Sequence, residues 1–479
     1  MVEYRYNLAN ELVEVKDWAG RLTRYRYDEK GHVIETHRPN GTRERRSYDA
    51  LGQLLRQQDV TKQGMMLQDL KYEYNEVGQI IREQNKQFTY DQLRRLVSGA
   101  NQGEITYYRY DLGGNLTEQT QTDPVGQSIS NTMSTLSYST DNRLHRIGKY
   151  PTELDADGNL LYFTDGEKMG AYEYDARNRL IQTGRMKYRY NWKNERIETI
   201  WRGKVTRYVV DDSSRLSRVL MEQDREGNIL TRYVYGLGLI GLEDGRTGQY
   251  LSYHSDLRGS TTILTDEQGI VSDRYSYGIY GEVEHYEGST NQPFQYNGRD
   301  GVMTDANGLY YMRARYYHPE LKRFLNRDTV RGDITDGQTF NRYAYVNGDP
   351  VKYVDPLGLS KEINPMGSPC PTSKREYKLS DDHKLPRKIV NEYDIISLGE
   401  GTPRFDNNGN QKIFNANELK NRTGQNNIWD GSKEWDVPGT KHRILERKDG
   451  KYGYVTDHDY TKPKLFPAPW FPDGGKFKP

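Results

Sequence analysis

Short runs in which Tyr, Leu, Val or Ile alternate with polar residues fill the first 300 positions of the chain. Between these runs lie polar stretches that contain Asp or Asn followed by Gly. An alternation with a period of two is typical of β-strands that bury one face, and Asp, Asn and Gly favour tight turns. The pattern therefore predicts many short strands joined by hairpins and a fold that is mostly β.

One seven-residue unit recurs along this part of the chain. It reads YDEKGHV at 27–33, YDALGQL at 48–54, YNEVGQI at 74–80 and YDLGGNL at 110–116, with degenerate copies that begin at Tyr90, Tyr174 and Tyr190. We expect the Asp or Asn side chain to accept hydrogen bonds from the following backbone and Gly to adopt a positive φ. A single hairpin is not stable alone, so the repeats must stack on one another.

This unit resembles the YD repeats of the Rhs family, whose strands wind into a hollow β-cage. The resemblance implies that residues 1–305 form a YD-repeat β-shell segment. An ordinary β-solenoid that serves as a binding scaffold is the alternative.

Residues 306–359 contain a second, different motif. The segment includes LYYMRARYY, NRYAYVNGDP and a final DPLGL. It resembles the Rhs core-associated module, whose terminal motif is matched by Pro350, Asp355, Pro356, Gly358 and Leu359. In that family the module ends the shell, and several members cut themselves just after it.

The resemblance implies an aspartyl-protease type of self-cleavage at the bond between Leu359 and Ser360. The arginine of the family falls on Arg315 and its two carboxylates fall on Asp328 and Asp355. Two carboxyl groups that share one proton are able to activate water and to donate a hydrogen bond to the scissile carbonyl. The alternative is that Asp355 only starts a turn and Arg315 only forms an ion pair.

Charge and apolar content argue against several other classes of protein. Lys plus Arg number 69 and Asp plus Glu number 68, which argues against one large nucleic-acid-binding surface. The apolar runs are too short for a membrane segment, and the first residues lack the pattern of a signal peptide. The resemblance to the Rhs family implies a toxin that is secreted or delivered into the cytoplasm of a target cell by a component that the sequence does not identify.

After Leu359 the repeat stops and the composition changes. Residues 360–479 contain 21 basic and 17 acidic residues and three of the six tryptophans. We interpret 360–390 as a linker and 391–479 as a small α+β toxin domain with an antiparallel sheet. With Cys370 as the one cysteine, the tail lacks the ligands of a multi-cysteine zinc site, and we predict no metal and no cofactor.

Three segments of the tail predict an antiparallel meander: 434–437, 440–445 and 452–458. If each turn has two central residues, Glu434 faces Arg443 and Arg443 faces Thr456, with His458 diagonally on the same face. One face would then present a carboxylate, a guanidinium and an imidazole. An ion pair beside a surface histidine is the alternative, and a slip of one residue would move Glu434 to the other side.

Residues 394–466 also resemble the microbial guanyl-specific ribonucleases, the group of barnase. The resemblance implies that Glu434 is the general base, that Arg443 holds the phosphate and that His458 is the general acid. It places base binding on Phe414, Asn415 and Glu418, with the Glu418 carboxylate on the guanine edge, and Lys441 is a candidate second phosphate ligand.

Together the two resemblances imply a polymorphic toxin for interbacterial competition. Its effector would be a metal-independent endoribonuclease that cleaves RNA after guanosine through a 2′,3′-cyclic phosphate. The family resemblance also implies a cognate immunity protein. A different effector chemistry, such as a deoxyribonuclease or a nucleotide-dependent transferase, and a non-enzymatic surface-binding protein are the alternatives.

Overall fold

The computed structural model describes residues 1–133, 135–334, 336–359, 361–363, 404, 411, 432–436, 443–446, 452–455 and 464–465. Contacts divide the chain into two units. The first comprises Met1–Val2, Val15–Arg26 and His32–Ser373, and the second comprises Glu3–Glu14, Tyr27–Gly31 and Lys374–Pro479.

The described residues are almost all strand or turn, which confirms the predicted β fold. The strands are β1 Glu3–Tyr6, β2 Leu12–Lys16, β3 Leu22–Tyr27, β4 Val33–His37, β5 Arg43–Tyr48, β6 Leu54–Val60, β7 Met66–Tyr74, β8 Ile80–Glu83, β9 Lys86–Tyr90, β10 Leu96–Asn101, β11 Glu104–Tyr110, β12 Leu116–Thr122, β13 Ser128–Met133, β14 Leu136–Tyr138, β15 Leu144–Ile147, β16 Tyr150–Pro151, β17 Glu153–Leu154, β18 Leu160–Thr164, β19 Met169–Tyr174, β20 Leu180–Thr183, β21 Met186–Tyr190, β22 Arg196–Trp201, β23 Lys204–Asp211, β24 Arg218–Gln223, β25 Ile229–Tyr235, β26 Leu239–Asp244, β27 Tyr250–Ser255, β28 Thr261–Thr265, β29 Val271–Tyr277, β30 Val283–Glu287, β31 Met303–Thr304, β32 Tyr310–Met312, β33 Arg315–His318, β34 Arg323–Phe324, β35 Tyr353–Val354, β36 Glu362–Ile363, β37 Lys433–Asp436, β38 Arg443–Glu446, β39 Tyr452–Val455 and β40 Lys464–Leu465.

Three short 3₁₀ helices complete the described secondary structure, at Gly298–Asp300, Gly337–Phe340 and Val346–Gly348. Within the described part of the chain, no helix is long and apolar enough to cross a membrane.

In the first unit, neighbouring strands along the chain are also neighbours in the sheets. From β4 to β13 each strand pairs with the one before it, and the same holds from β17 to β30, with β14–β16 as a small sheet between them. The pairs are antiparallel, as hairpins require. Strands β31–β34 form a separate four-stranded sheet and β35 pairs with β36.

The predicted turn chemistry of the repeat is confirmed at the unit that begins with Tyr48. The Asp49 Oδ1 atom accepts hydrogen bonds from the backbone N–H groups of Leu51 and Gln53, both at 2.8 Å. Gly52 donates its N–H to the Asp49 carbonyl and has φ +82°. The carboxylate thus fixes the turn while glycine supplies the conformation that other residues rarely adopt.

The tyrosine of the repeat makes a bond that the sequence did not reveal. Its hydroxyl donates to the carbonyl at or next to the start of the preceding strand, at 2.6–2.9 Å, in the pairs Tyr48–Val33, Tyr74–Leu54, Tyr90–Ile80, Tyr110–Leu96, Tyr190–Leu180, Tyr235–Val219 and Tyr277–Thr261. Each bond closes the open end of a hairpin just before the next turn begins. We call these bonds the tyrosine ties.

Distant parts of the first unit are joined through buried polar contacts. The Arg258 guanidinium reaches Glu83 at 2.8 and 2.9 Å, and His254 lies 2.7 Å from Asp59. Arg38 donates to the Tyr253 carbonyl at 3.0 Å. Side chains of β8 and of the β4–β6 region therefore contact the β27–β28 region, about 200 residues later in the chain.

Residues 294–351 pack into the hydrophobic core that these strands build. Buried Tyr296, Tyr310, Tyr317 and Tyr345 form one cluster with strand residues such as Tyr72, Phe88, Leu96 and Tyr108. The fully buried Arg196 of β22 forms an ion pair with Asp305, in which Nη1 lies 2.9 and 2.8 Å from the two carboxylate oxygens. The segment that follows the repeats is thus held by the sheets through both aromatic packing and charge.

In the second unit, β37–β40 form an antiparallel sheet in sequence order. The predicted three-stranded meander therefore exists, and a fourth strand extends it. Ile444 and Leu445 on β38 are fully buried, and Glu434 on β37 is buried beside them in the register.

The tyrosine ties should contribute measurably to stability. Replacing Tyr90 by Phe removes the donor to the Ile80 carbonyl and should lower the free energy of unfolding by about 1–2 kcal/mol. Tyr107→Phe is the matched control, because Tyr107 is exposed on the neighbouring hairpin. Urea unfolding followed by tyrosine and tryptophan fluorescence measures both. Equal midpoints for the two variants would show that the tie is dispensable.

Candidate functional site

Arg315 stands at the first position of β33, directly after a tight turn from β32. Met312 and Arg315 are backbone partners across that turn, in which Arg313 has φ +52°. The Arg315 side chain is 4% exposed, and its guanidinium lies 3.5 Å from the ring centroid of Phe324 on β34. Sheet and ring together hold the guanidinium in one orientation, and stacking on an aromatic face favours Arg over Lys.

The Arg315 guanidinium brings both predicted carboxylates together. Its Nη2 atom lies 2.7 Å from Asp328 Oδ2 and 3.3 Å from Asp355 Oδ2. Nη1 donates to the Arg342 carbonyl at 2.9 Å, and Nε donates to the Gly358 carbonyl. One fork of donors therefore joins three segments of the chain, which is the geometry that guanidinium supplies and ammonium does not.

Asp328 begins a loop whose base is closed by Arg342. The Asp328 N–H donates to the Arg342 carbonyl at 2.9 Å, and the Arg342 guanidinium donates to the Asp328 carbonyl. Asp328 Oδ1 accepts from the Val330 N–H at 2.7 Å. Burial raises the pKa of Asp328, although the charge of Arg315 and the Val330 N–H act in the other direction. Asp328 is thus the carboxyl group that retains its proton to a higher pH than usual.

Asp355 holds the end of the DPLGL motif in a tight turn. Its Oδ1 atom accepts from the Leu359 N–H at 2.9 Å, and its carbonyl accepts from the Gly358 N–H at 3.1 Å. Gly358 has φ +66°, and a Cβ atom there would lie 2.4 Å from the Met312 carbonyl oxygen. Glycine is required because both the conformation and the space exclude a side chain.

The peptide group between Gly358 and Leu359 is held from both sides. Arg315 donates to its carbonyl, and Asp355 accepts from its N–H. This is the peptide group that precedes the predicted scissile bond. Leu359 is half-buried, and Ser360 lies outside the described residues.

In the tail sheet, the described partner of Glu434 is Arg404. Glu434 is 2% exposed, and Arg404 Nη1 lies 3.3 Å from Glu434 Oε2. The Arg404 N–H also donates to the Glu434 carbonyl at 3.2 Å. A buried carboxylate beside a guanidinium is retained because the charges compensate each other.

The predicted register of the tail sheet was wrong. Glu434 is opposite Leu445, and Arg443 is opposite Asp436 on one side and Val455 on the other. The first pair is shifted by two residues and the second by one, because the connections 437–442 and 447–451 are longer than the assumed two-residue turns. L-Pro at 438 disfavours the tight hairpin turn that the prediction assumed. The register argument that placed His458 on the face of Arg443 therefore no longer holds.

Several predicted residues lie outside what the structure describes. These are Phe414, Asn415, Glu418, Lys441 and His458, and the side chain of Arg443. Among the described residues, no cluster of three or more His, Cys, Asp or Glu side chains is able to hold a metal ion.

Three contacts of the two sites were missed at the sequence level. Arg342 closes the Asp328 loop, Phe324 supports Arg315, and Arg404 pairs with Glu434. Arg342 stands inside the NRYAYVNGDP motif and could have been suspected from it. Phe324 and Arg404 carry no local signal, because their roles depend on strand register.

The repeats, their ties and the module after them agree with one known family. The model of the teneurin YD-shell matches residues 1–95 and 82–351. The chain belongs to the teneurin YD-shell family. The predicted resemblance of the repeats is confirmed by this match.

Curated relatives of this YD shell are named as tRNA nucleases and as toxins. The tRNA3(Ser)-specific nuclease WapA of Bacillus spizizenii is 29% identical over 386 residues, which cover 74% of this chain and 15% of the relative. The double-stranded DNA deaminase toxin A of Burkholderia cenocepacia is 26% identical over 376 residues, covering 74% of this chain and 22% of that protein. The chain thus spans about a sixth to a fifth of the length of these relatives.

A solved structure shows the same fold. The TcdB2–TccC3 crystal structure superposes with a TM-score of 0.61 at 21% identity and covers 75% of this chain and 21% of that one. The likeness is confined to the fold, and it agrees with the stacked antiparallel hairpins described above.

The Arg315 fork should protect the turn at 355–359 from solvent exchange. In Arg315→Gln, the donors to Asp328, Asp355 and the Gly358 carbonyl are reduced, so the Leu359 amide should exchange about tenfold faster or more, since hydrogen bonds to charged groups contribute on the order of 1.5–3 kcal/mol. Arg315→Lys, which keeps the charge but not the fork, should give an intermediate rate. Hydrogen–deuterium exchange with peptide resolution measures all three proteins. Unchanged protection in Arg315→Gln would contradict the geometry.

Proposed function

We propose that this chain is part of a polymorphic toxin that consists of a YD shell, a self-cleaving module and a ribonuclease effector. The observation that carries the proposal is the meeting of Asp328 and Asp355 on one guanidinium beside the Gly358–Leu359 peptide group. Among the relatives that share this shell, three are named as tRNA nucleases and one as a DNA deaminase toxin.

In the proposed self-cleavage, water attacks the Leu359 carbonyl carbon and the bond to Ser360 breaks. The ionised carboxylate accepts a proton from the water, and the protonated carboxyl group donates a hydrogen bond to the carbonyl oxygen. The raised pKa of Asp328 favours it as the protonated member, which assigns the role of base to Asp355, whose Oδ1 atom accepts from the Leu359 N–H. Arg315 fixes the preceding carbonyl, so the reacting bond is positioned by the module itself.

The effector assignment rests on the tail. Its buried Glu434 is paired with a guanidinium on an antiparallel sheet, and residues 360–479 carry more basic than acidic residues. In the proposed reaction, Glu434 removes the 2′-hydroxyl proton, Arg443 compensates the charge that grows on the phosphate oxygens, and His458 protonates the leaving 5′-oxygen. The product is a 2′,3′-cyclic phosphate, and the reaction requires no metal.

The presence of the YD shell does not indicate which reaction the effector catalyses. A tRNA nuclease and a DNA deaminase toxin match the same share of this chain. A cognate immunity protein and a delivery apparatus belong to the proposal through the family resemblance, and the toxin would act in the cytoplasm of competing cells.

The self-cleavage is tested on the full chain by intact mass spectrometry. The wild type should yield a fragment that begins at Ser360, whereas Asp328→Asn and Asp355→Asn should remain full length. Asp349→Asn is the matched control, because Asp349 is a buried carboxyl group of the same module that lies outside the site. Equal cleavage in the two carboxylate variants would show that they only shape a turn.

The same assay across pH examines the roles of the two carboxyl groups. Burial raises the pKa of Asp328, so its protonated fraction persists above the usual range and is lost as the pH rises through that pKa. The rate of self-cleavage should therefore decline on the alkaline side and return on acidification. A rate that increases steadily with pH is incompatible with this assignment.

Ribonuclease activity is tested on RNA in EDTA. Glu434→Gln and His458→Ala should each lower the rate by about 10² or more, with a bell-shaped pH profile in the wild type. Lys433→Gln, an exposed position on the same strand as Glu434, is the matched control and should retain activity. Activity that depends on a divalent metal, or deamination of DNA in its place, would refute the ribonuclease assignment.

Guanine preference is examined with the dinucleotides GpU, ApU, CpU and UpU. A carboxylate at Glu418 would accept from two guanine N–H groups and would meet an acceptor on adenine, so Glu418→Gln should reduce kcat/KM for GpU far more than for ApU. A wild type without preference for GpU, or an equal loss on all four substrates, would make Glu418 structural.

A further inference from the structure

The chain beyond the DPLGL turn is bound again within a few residues. Glu362 and Ile363 form β36, which pairs antiparallel with β35, so that Val354 is opposite Glu362 and Tyr353 is opposite Ile363. Lys361 Nζ lies 3.3 Å from Asp336 Oδ2 and 5.4 Å from the centroid of the Tyr353 ring. These contacts come from the module that ends at Leu359.

A further contact comes from the sheets themselves. Arg215 follows β23, about 150 residues earlier in the chain, and its guanidinium binds the Glu362 carboxylate through two parallel bonds of 2.7 and 2.6 Å. The Arg215 side chain is 47% exposed and that of Glu362 is 16% exposed. Bidentate pairing of this kind fixes both the position and the orientation of the Glu362 carboxylate.

We infer that residues 361–363 form a clasp that keeps the effector tail on the shell after its covalent bond to the shell is cut. The inference rests on the proposed cleavage after Leu359. Hydrolysis separates the Leu359 carboxylate from the amino group of Ser360, and every contact of the clasp lies on the tail side of that bond. The bonds of Arg315 and Asp355 remain with the shell side.

The two surfaces of the clasp complement each other in charge and in backbone. The tail presents a cation and then an anion, Lys361 and Glu362, and the shell presents Asp336 and Arg215 opposite them. Between them, β35 offers the backbone groups that pair with β36. The partner of this shell surface is therefore a short extended segment with a Lys–Glu sequence, which this chain supplies itself.

The clasp is small, so its contribution to the binding of the tail is limited. Two residue pairs of a ladder and two partly exposed ion pairs contribute modestly, and salt screens the ion pairs. The clasp therefore retains a cut tail at low ionic strength and releases it without unfolding of the shell. The tail is first joined to the shell by a peptide bond and, after cleavage, only by a weak reversible contact. Cleavage and release of the tail are therefore two separate steps.

The experiment uses the full chain with an affinity tag at its N-terminus. After self-cleavage, the protein is immobilised at low salt, and the release of the tail is followed over time, while a denaturing gel reports the fraction cut. Arg215→Glu and Glu362→Arg should each release the tail roughly three- to tenfold faster than the wild type. The double variant with both charges exchanged should regain much of the retention, and high salt should reduce the difference.

Arg56→Glu is the matched control. Arg56 forms a comparable bidentate pair with Asp69, at 2.7 Å for both bonds, and its side chain is 43% exposed. It should release the tail at the wild-type rate.

The outcomes separate the two proposals. A chain that stays uncut would overturn the self-cleavage and, with it, the clasp. A chain that is cut but releases its tail at the same rate in all variants would overturn the clasp alone. If Arg215→Glu lowers the fraction cut and leaves the release rate unchanged, the contact positions the scissile bond and the retention role is overturned.

Discussion

A hydrogen bond from a tyrosine hydroxyl to a strand-start carbonyl is the interaction on which the shell depends. At the repeat that begins with Tyr174, the buried hydroxyl has no hydrogen-bond partner among the described residues. In the seven tied hairpins named above, the open end carries the carbonyl at or next to the start of the first strand. The tyrosine that ends the hairpin donates to that carbonyl, and the next residue starts the following turn. The tyrosine tie therefore connects the finished hairpin to the turn that begins the next one.

The module after the repeats uses the sheets as its support. Its tyrosines are buried in a cluster with strand residues, and its Asp305 is held by Arg196 from β22. Arg315 donates to four acceptors from three segments. It does so because its backbone position on β33 and the stacking on the Phe324 ring fix the orientation of its guanidinium. The site is thus a property of the packed shell, and the residues 328, 342 and 355 meet there although they are far apart in sequence.

The sequence was informative where chemistry is local. The Asp and Gly of the repeat act within five residues, so their roles at Asp49 and Gly52 follow from the residue types alone. The meeting of Arg315, Asp328 and Asp355 followed from the family motif, whereas no spacing rule would have supplied it. The register of the tail sheet depended on turn lengths, and a wrong assumption about the turn at Pro438 displaced Glu434 by two positions relative to β38.

The tyrosine ties span very different lengths of chain. Tyr90 reaches back 10 residues, Tyr48 reaches back 15 and Tyr74 reaches back 20, and the bonds are nevertheless 2.6, 2.8 and 2.9 Å long. Since the tie joins only the two ends of a hairpin, the number of residues between those ends is not fixed by it. An insertion or deletion in one hairpin can therefore be absorbed within that hairpin, and the neighbouring turns keep their positions. A shell built in this way tolerates changes in length during evolution without losing the alignment of its repeats.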